Sequence, residues 1–295
     1  MKRFIIIITF LFSAVGSMYV LAQEPIHEFS VYSGLGFSSL RYQLSQGTSS
    51  GGFGGDFGLG YTYYRSNVRV TGTGKVFYEQ WGIFTGIGFG LYNAKSKLDG
   101  EEIFIENLED KDEIPDRFDL RTTVLRYKEV QRTMYLNIPV MAQFQIERYY
   151  ILTGLKFGVP LIGKYKLKEA MLLNGANYPE WHPPGYFIYG PITEGLGEFD
   201  YKDSKGKFNL GVSLMLSLEG GVNWRLTRNF SLYSGAYFDF GLNNAAKKQL
   251  LPFAELVYEN DNNSSRFTTN SALTSFTEKV KIMAVGVKVR LAYVN

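Results

Sequence analysis

Residues Trp81–Asn93 read WGIFTGIGFGLYN, with glycine at positions 82, 86, 88 and 90. Taken as G-x-G-x-G, the stretch suggests a phosphate-cradling loop, which needs a strand before it and a helix start after it. Taken with a period of two, it splits another way. Trp81, Ile83, Thr85, Ile87, Phe89 and Leu91 fall on one side, and Gly82, Phe84, Gly86, Gly88, Gly90 and Tyr92 on the other. Strand side chains alternate between faces. The stretch therefore reads as a strand with one bulky apolar face and one nearly empty face, and no helical pattern follows it. The fragment Gly72-Thr73-Gly74-Lys75 resembles the end of a P-loop. It is followed by Val76 instead of Ser or Thr, and it is set aside.

The same rhythm recurs along the chain. Phe29, Val31, Leu35 and Phe37 alternate with Ser30, Tyr32, Gly34, Gly36 and Ser38. Phe57, Leu59, Tyr61 and Tyr63 alternate with Asp56, Gly58, Gly60 and Thr62. Met134, Leu136, Ile138, Val140, Ala142, Phe144 and Ile146 oppose Thr133, Asn137, Gln143 and Gln145. Ile151, Leu155, Phe157, Val159 and Leu161 oppose Gly154, Lys156, Gly158 and Lys164. Leu210, Val212, Leu214, Leu216, Leu218, Val222 and Trp224 oppose Asn209, Ser213, Ser217, Glu219 and Asn223. Phe230, Leu232, Ala236, Phe238 and Phe240 oppose Ser231, Gly235, Asp239 and Gly241. Met283, Val285, Val287, Val289, Leu291 and Tyr293 oppose Gly286, Lys288 and Arg290. With the opening stretch, this makes eight strands.

Short links at 147–148 and 227–229 alternate with long polar segments after the third, fifth and seventh strands. Tight turns at one end and long loops at the other predict an all-β fold, an eight-stranded antiparallel up-and-down transmembrane β-barrel with short periplasmic turns and long extracellular loops. Segment 65–79 stands where a tight turn is expected, and is read as a hairpin extended beyond the membrane. A soluble lipocalin-like barrel also alternates, but its water-facing wall carries many Lys and Glu. Here the polar face is rich in Gly, Ser and Asn, and the apolar face is almost uncharged, Lys281 excepted. A midplane charge on a lipid face costs about 2–4 kcal/mol. Tyr63, Trp81, Tyr149, Trp224 and Tyr293 near strand ends suit interfacial girdles.

Eight strands enclose a space that side chains can fill. The glycines make room there for inward Tyr32, Tyr64, Tyr135, Tyr233 and Tyr237. The inward charges Asp56, Lys156, Glu219, Asp239, Lys288 and Arg290 are then buried and need partners. They are expected to join a polar plug in the lumen, with Lys156 level with Glu219 and Asp239 level with Lys288.

The N-terminal MKRFIIIITFLFSAVGSMYVLAQ has Lys2 and Arg3 before an apolar run and Val20-Leu21-Ala22 before the expected cut. Residues 1–22 read as a secretory signal peptide and 23–295 as the outer-membrane barrel domain. Without Lys2 and Arg3, 29 basic residues face 28 acidic ones, a net charge near +1 (31 − 2 − 28) that gives no electrostatic case for nucleic acid. The chain has no cysteine, which excludes a disulfide-stapled scaffold and a lipoprotein anchor. Aromatics at 16% and 32 glycines favour strands over long helices.

GFGGDFGLGYTYY, WGIFTGIGFGLYNAK, MYLNIPVMAQF, SLYSGAYFDFGLNN and AVGVKVRLAYVN together resemble the PorT-like outer-membrane β-barrel family of Bacteroidota. The most specific piece is L-x-I-P-V-x-x-Q-F at 136–144, where proline interrupts a strand's donor row. The resemblance implies an integral protein of the Gram-negative outer membrane, assembled from the periplasm by the barrel-assembly machinery. It supplies no shared catalytic motif and no cofactor. The last strand resembles an assembly signal, although it ends in Val294-Asn295 instead of an aromatic residue.

The sequence offers little for catalysis. Rim-sited enzymes need a base, and only His27 and His182 exist. His182 lies in NYPEWHPPGYFIYG, with Glu180, Glu194 and Ser204 as the partners it would need for an envelope-lipid hydrolase or acyltransferase. No spacing supports that alternative, and a structural or surface-interaction role is preferred. Tyr178, Trp181, His182, Tyr186, Phe187 and Tyr189 are the candidate contacts of the third loop for an extracellular protein or glycan. Ten carboxylates lie between Asp99 and Asp119, without the glycine-centred pattern of an EF-hand. They read as solvated acid, bridged to lipopolysaccharide through divalent ions. The barrel is expected to be monomeric, with membrane lipid as its main partner.

Overall fold

The computed structural model describes residues 25–70, 76–109, 117–190, 196–246, 251–258 and 265–295. Residues 1–22, expected to be a signal peptide, Gly72–Lys75, Glu194 and the central acidic residues of 110–116 lie outside them.

Eight strands close into one ring. They are β1 (Ile26–Tyr42), β2 (Thr48–Val70), β3 (Val76–Leu98), β5 (Arg117–Ile146), β6 (Tyr149–Asn177), β9 (Ser213–Arg225), β10 (Phe230–Gly241) and β13 (Val280–Val294). Each pairs antiparallel with its successor, and β13 returns to β1 in a register that sets Phe29 opposite Tyr293 and Gly36 opposite Gly286. Closure leaves no unpaired edge within the ring, which a strand in lipid cannot tolerate. Among the described residues, no helix is long and apolar enough to cross a membrane.

Phe29, Val31, Leu35, Phe57, Leu59, Ile87, Phe157, Leu218 and Val287 are exposed on the wall, while Tyr32, Tyr64, Tyr135, Tyr233 and Tyr237 are buried inside. Tyr149, Trp224, Phe230, Trp81 and Tyr293 are exposed at the end carrying the short turns. There β2 and β3 continue pairing down to Val70 opposite Val76, past the ends of β1 and β5, so the described parts of segment 65–79, residues 65–70 and 76–79, are the paired arms of an extension beyond the neighbouring strands. Glu147 takes φ 55° in the β5–β6 turn, and its backbone N–H donates to the Tyr78 carbonyl at 3.0 Å, bracing that extension.

At the opposite end the long connections are mostly sheet. Strand β5 starts at Arg117 and β6 runs to Asn177, paired antiparallel along their length with register shifts at Val124/Arg126, Lys128/Glu129 and Met134/Tyr135. Strand β4 (Glu102–Glu109) pairs with the start of β5, while β7 (Gly197–Asp200) and β8 (Lys205–Lys207) pair with upper β6. Period-two alternation persists through Phe118, Leu120, Thr122 and Val124, all buried, so the chain has no reason to stop being a strand at the lipid boundary. A separate hairpin, β11 (Ala254–Tyr258) with β12 (Ser265–Thr269), and one helical turn, α1 (Ala272–Ser275), complete this end.

Face assignments from the sequence are corrected at two places, at Lys164 and at Asn209–Leu210, where Asn209 is exposed and Leu210 buried. Lys164 points out of the barrel. In β6, Pro160 pairs with Tyr135 and Ile162 with Met134, so Leu161 is an extra residue, and both Leu161 and Ile162 are exposed. Such a bulge inverts the parity of the residues that follow it, here until Lys168, a second extra residue between Leu167 and Glu169, restores it. Leu210, expected on the lipid wall, is buried among Phe208, Leu172 and Phe253, because β9 begins only at Ser213 and residue 210 joins Ala246 by an isolated bridge.

Candidate functional site

The lumen is the first place where charges gather. The six sequence-predicted residues Asp56, Lys156, Glu219, Asp239, Lys288 and Arg290 are all buried there. Lys156 Nζ lies 2.6 Å from Asp239 Oδ2 and 3.8 Å from Asp56 Oδ2. Lys288 Nζ lies 2.9 Å from Asp56 Oδ2 and 3.4 Å from Glu219 Oε2. Ser217 donates to Asp239 Oδ1 at 2.6 Å and Tyr150 to Glu219 at 3.1 Å.

Register explains the pairings. Asp56 and Lys288 flank Gly34 from β2 and β13, so they are two strands apart with only a glycine between them. A Cβ on Gly34 would strike Asp56 Oδ1 and lie 3.3 Å from Lys288 Cε. The expected levels do not hold: Glu219 faces Leu152, Lys156 faces Met215, and Asp239 faces Ala284. Strand stagger around the ring sets these levels, and one strand's pattern does not contain it.

Below this cluster Arg290 is caged by rings, its guanidinium carbon 4.1 Å from the Tyr233 centroid, 5.0 Å from Phe84 and 5.6 Å from Tyr150. Its Nη2 donates to Gln143 Oε1 at 3.3 Å. Glu28, which the sequence reading missed, is fully buried and accepts from Tyr233 at 2.7 Å and from Thr62 and Tyr64 at 3.4 Å. Its signal was present, since Glu28 continues the inward series Ser30, Tyr32 by one step. Above the cluster the mouth is filled by an apolar core including Leu40, Tyr92, Val124, Tyr127, Leu167, Phe253, Leu273 and Ile282.

Helical turn α1 is fastened to this core by Glu129 of upper β5. Glu129 Oε2 accepts from the Ala272 backbone N–H at 2.8 Å and from Tyr127 Oη at 2.6 Å, and Ser271 Oγ contacts Oε1. This carboxylate lies above Arg132, the first exposed charge on the outer wall of β5, and so outside the lipid span. Burial pushes its pKa up, against the hydrogen bonds that favour the ionised form.

On the third loop the six contact candidates divide. Tyr178 packs on Phe118 with ring centroids 5.5 Å apart, and Phe187 on Phe104 at 6.3 Å with Arg121 over its face. Trp181, Tyr186 and Tyr189 are exposed. Asn177 Nδ2 donates to the carbonyls of Tyr186 at 2.6 Å and Pro183 at 3.2 Å, and Ile188 pairs with Ala176, so the loop is tied to the end of β6. The His182 ring lies 4.8 Å from that of Tyr186. Among the described residues its ring nitrogens have no hydrogen-bond partner. His27, at the periplasmic end, pairs with Tyr61 Oη at 2.7 Å.

In the acidic segment, Asp99 pairs with Lys97 at 3.1 Å and Glu102 pairs with Arg121. Among the described residues no group of His, Cys, Asp or Glu is arranged to hold a metal ion.

A closed eight-stranded ring with a greasy wall, an aromatic belt at its turn end and a polar-plugged lumen defines an integral barrel of the outer membrane. The chain belongs to the outer membrane protein beta-barrel domain family, whose model matches residues 21–247. No curated relative matches the sequence. Among solved structures, Ail, the attachment invasion locus protein of Yersinia pestis, solved with the heparin analogue sucrose octasulfate, aligns over 92% of this chain and 100% of its own. The identity is 12% and the TM-score 0.31. A Pseudomonas aeruginosa FadL homologue aligns over 92% and 90% with 9% identity and a TM-score of 0.15. Likeness this low carries no statement about ligand or activity.

Proposed function

We propose that this protein is a non-catalytic, monomeric surface-display barrel of PorT-like type, presenting its third outer loop to an extracellular protein or glycan. The observation that carries the reading is the pairing of exposure with rigidity in that loop. Trp181 is 68% exposed and Tyr186 54%, on a backbone that Asn177 ties to the end of β6. Large aromatics already held in place lose little freedom on binding, and they dominate contact energetics. Tyr178 and Phe187 belong to the support, packing under the loop.

The rest of the proposal concerns biogenesis and setting. Residues 1–22 are removed as a signal peptide, the barrel-assembly machinery inserts the chain, and the acidic segment meets lipopolysaccharide through divalent ions. The resemblance at 136–144 supports the PorT-like and Bacteroidota assignment. Support for a closed, non-conducting lumen comes from its filling by ion pairs and aromatic side chains.

The test is adhesion of cells displaying the wild type or the W181A/Y186A/Y189A variant to immobilised glycans and surface proteins. The variant is expected to lose binding while its surface level is unchanged. Unchanged envelope-lipid composition in H182A cells is expected as well, and an altered lipid profile would favour the hydrolase or acyltransferase reading.

A further inference from the structure

The outer wall above the lipid belt carries a second feature, unrelated to the aromatic loop. A groove of about 550 Å³ lies across β3, β5, β6 and β8. Its floor is one register row, Leu91 opposite Met134 opposite Ile162, with Leu91 and Ile162 exposed. The next row outward is Asn93, Arg132, Lys164 and Lys207, and the row above that is Lys95, Val130, Lys166 and Lys205. Cations at adjacent positions in a row repel one another. Lys166 is offset by Asp203 at 2.6 Å, and one row further out Lys128 pairs with Glu169 at 2.8 Å. Among the described residues Arg132, Lys164, Lys205 and Lys207 have no carboxylate within ion-pair reach.

The bulge at Leu161 creates this arrangement. Without it Lys164 and Lys166 would point into the lumen, where Lys156 already lies. The extra residue sends both out onto the wall, directly above the apolar row. Uncompensated repulsion at one height, continuous below with the lipid-facing surface, is complementary to a ligand with phosphates at that height and acyl chains beneath.

We infer that the wall of β3, β5, β6 and β8 binds a phosphorylated glycolipid of the outer leaflet. Arg132, Lys164 and Lys207 hold a headgroup phosphate, and the Leu91–Met134–Ile162 row takes the first acyl methylenes. Arg132 can grip a phosphate through two parallel N–H donors, and the lysines act as point charges. The assignment depends only on the barrel's depth in the membrane, so it survives failure of the loop-contact reading.

The test is native mass spectrometry of the full barrel in detergent with bisphosphorylated lipid A as probe and its fully dephosphorylated form as control. The wild type is expected to retain the bisphosphorylated lipid preferentially. Each charge near an anionic surface is worth about fivefold in binding, so R132Q/K164Q/K207Q should weaken retention on the order of a hundredfold. The variant should still show heat-modifiable mobility, the sign of a folded barrel. If it does not fold, the single K164Q, expected to lose about fivefold, carries the test. Equal retention of both lipids by the wild type, or unchanged retention by a folded variant, overturns the assignment. Displacement of the lipid by millimolar inorganic phosphate would also overturn it, as the mark of a simple anion site.

Discussion

Replacing Lys288 by Met removes the cation that Asp56 and Glu219 share. Its ammonium lies 2.9 Å from one carboxylate and 3.4 Å from the other, and 4.6 Å from the Tyr237 ring centroid. At an effective dielectric of about 20, those two contacts are worth roughly 6 and 5 kcal/mol before solvation. Taking the ammonium out of water returns several kcal/mol of that. The net loss should match the usual cost of orphaning a buried charge, about 3–5 kcal/mol. Among the described residues Asp56 would keep only Lys156, at 3.8 Å, and Glu219 only the Tyr150 hydroxyl as a direct partner. Adding Asp56→Asn removes one of the stranded carboxylates. The double variant should therefore be less destabilised than the sum of the singles by at least about 1.5 kcal/mol. Urea unfolding in lipid vesicles, followed by tryptophan fluorescence, reads both quantities. A loss below about 1 kcal/mol for K288M, or strict additivity in the double variant, would refute the claim that the lumen is held by coupled ion pairs.

Three further predictions address other parts of the chain. Gly88→Ala should destabilise the barrel, because the new Cβ meets the Tyr32 hydroxyl and lies 2.9 Å from the Phe57 carbonyl. Gly190→Ala, with open space around it, should be neutral in the same unfolding assay. The docking of α1 should weaken with rising pH. Burial raises the Glu129 pKa in the folded state, so its contribution is fully present below the unfolded value and lost as pH climbs through the folded one. Hydrogen exchange at Thr274–Phe276, corrected for intrinsic rate, should speed up from pH 5 to pH 8 in the wild type and stay flat in Glu129→Gln. Asn177→Ala should free the third loop by removing its bonds to the Tyr186 and Pro183 carbonyls. Faster exchange at 181–187 without a change in barrel stability is the expected signature.

How far the fold was legible depends on distance along the chain. The alternation in Trp81–Asn93 was enough to tell a strand from a nucleotide loop, because the parity of a single strand is a local property. The same property placed Asp56, Asp239, Lys288 and Arg290 on the inner face. Upper β5 and β6 also alternate, but in short runs broken at Leu125, Leu161 and Lys168, and their polar outer faces end the lipid signature, so the pattern there reads as loop. The strand itself continues. Of the candidate site residues, the aromatic loop was legible as composition, whereas its split into packed Tyr178 and Phe187 and exposed Trp181 and Tyr186 was not.

By itself, then, the sequence determined a lipid-facing wall, a crowded inner face and eight crossings, all consequences of period-two patterning within single segments. Tertiary structure decided which charge meets which. Lys288 reaches Asp56 across Gly34 and Glu219 across β10, and both meetings follow from strand stagger, which belongs to the ring as a whole. It also decided where parity breaks. One extra residue at Leu161 turned Lys164 from the lumen to the wall, since a bulge is a feature of how two strands pair and not of either strand's own pattern.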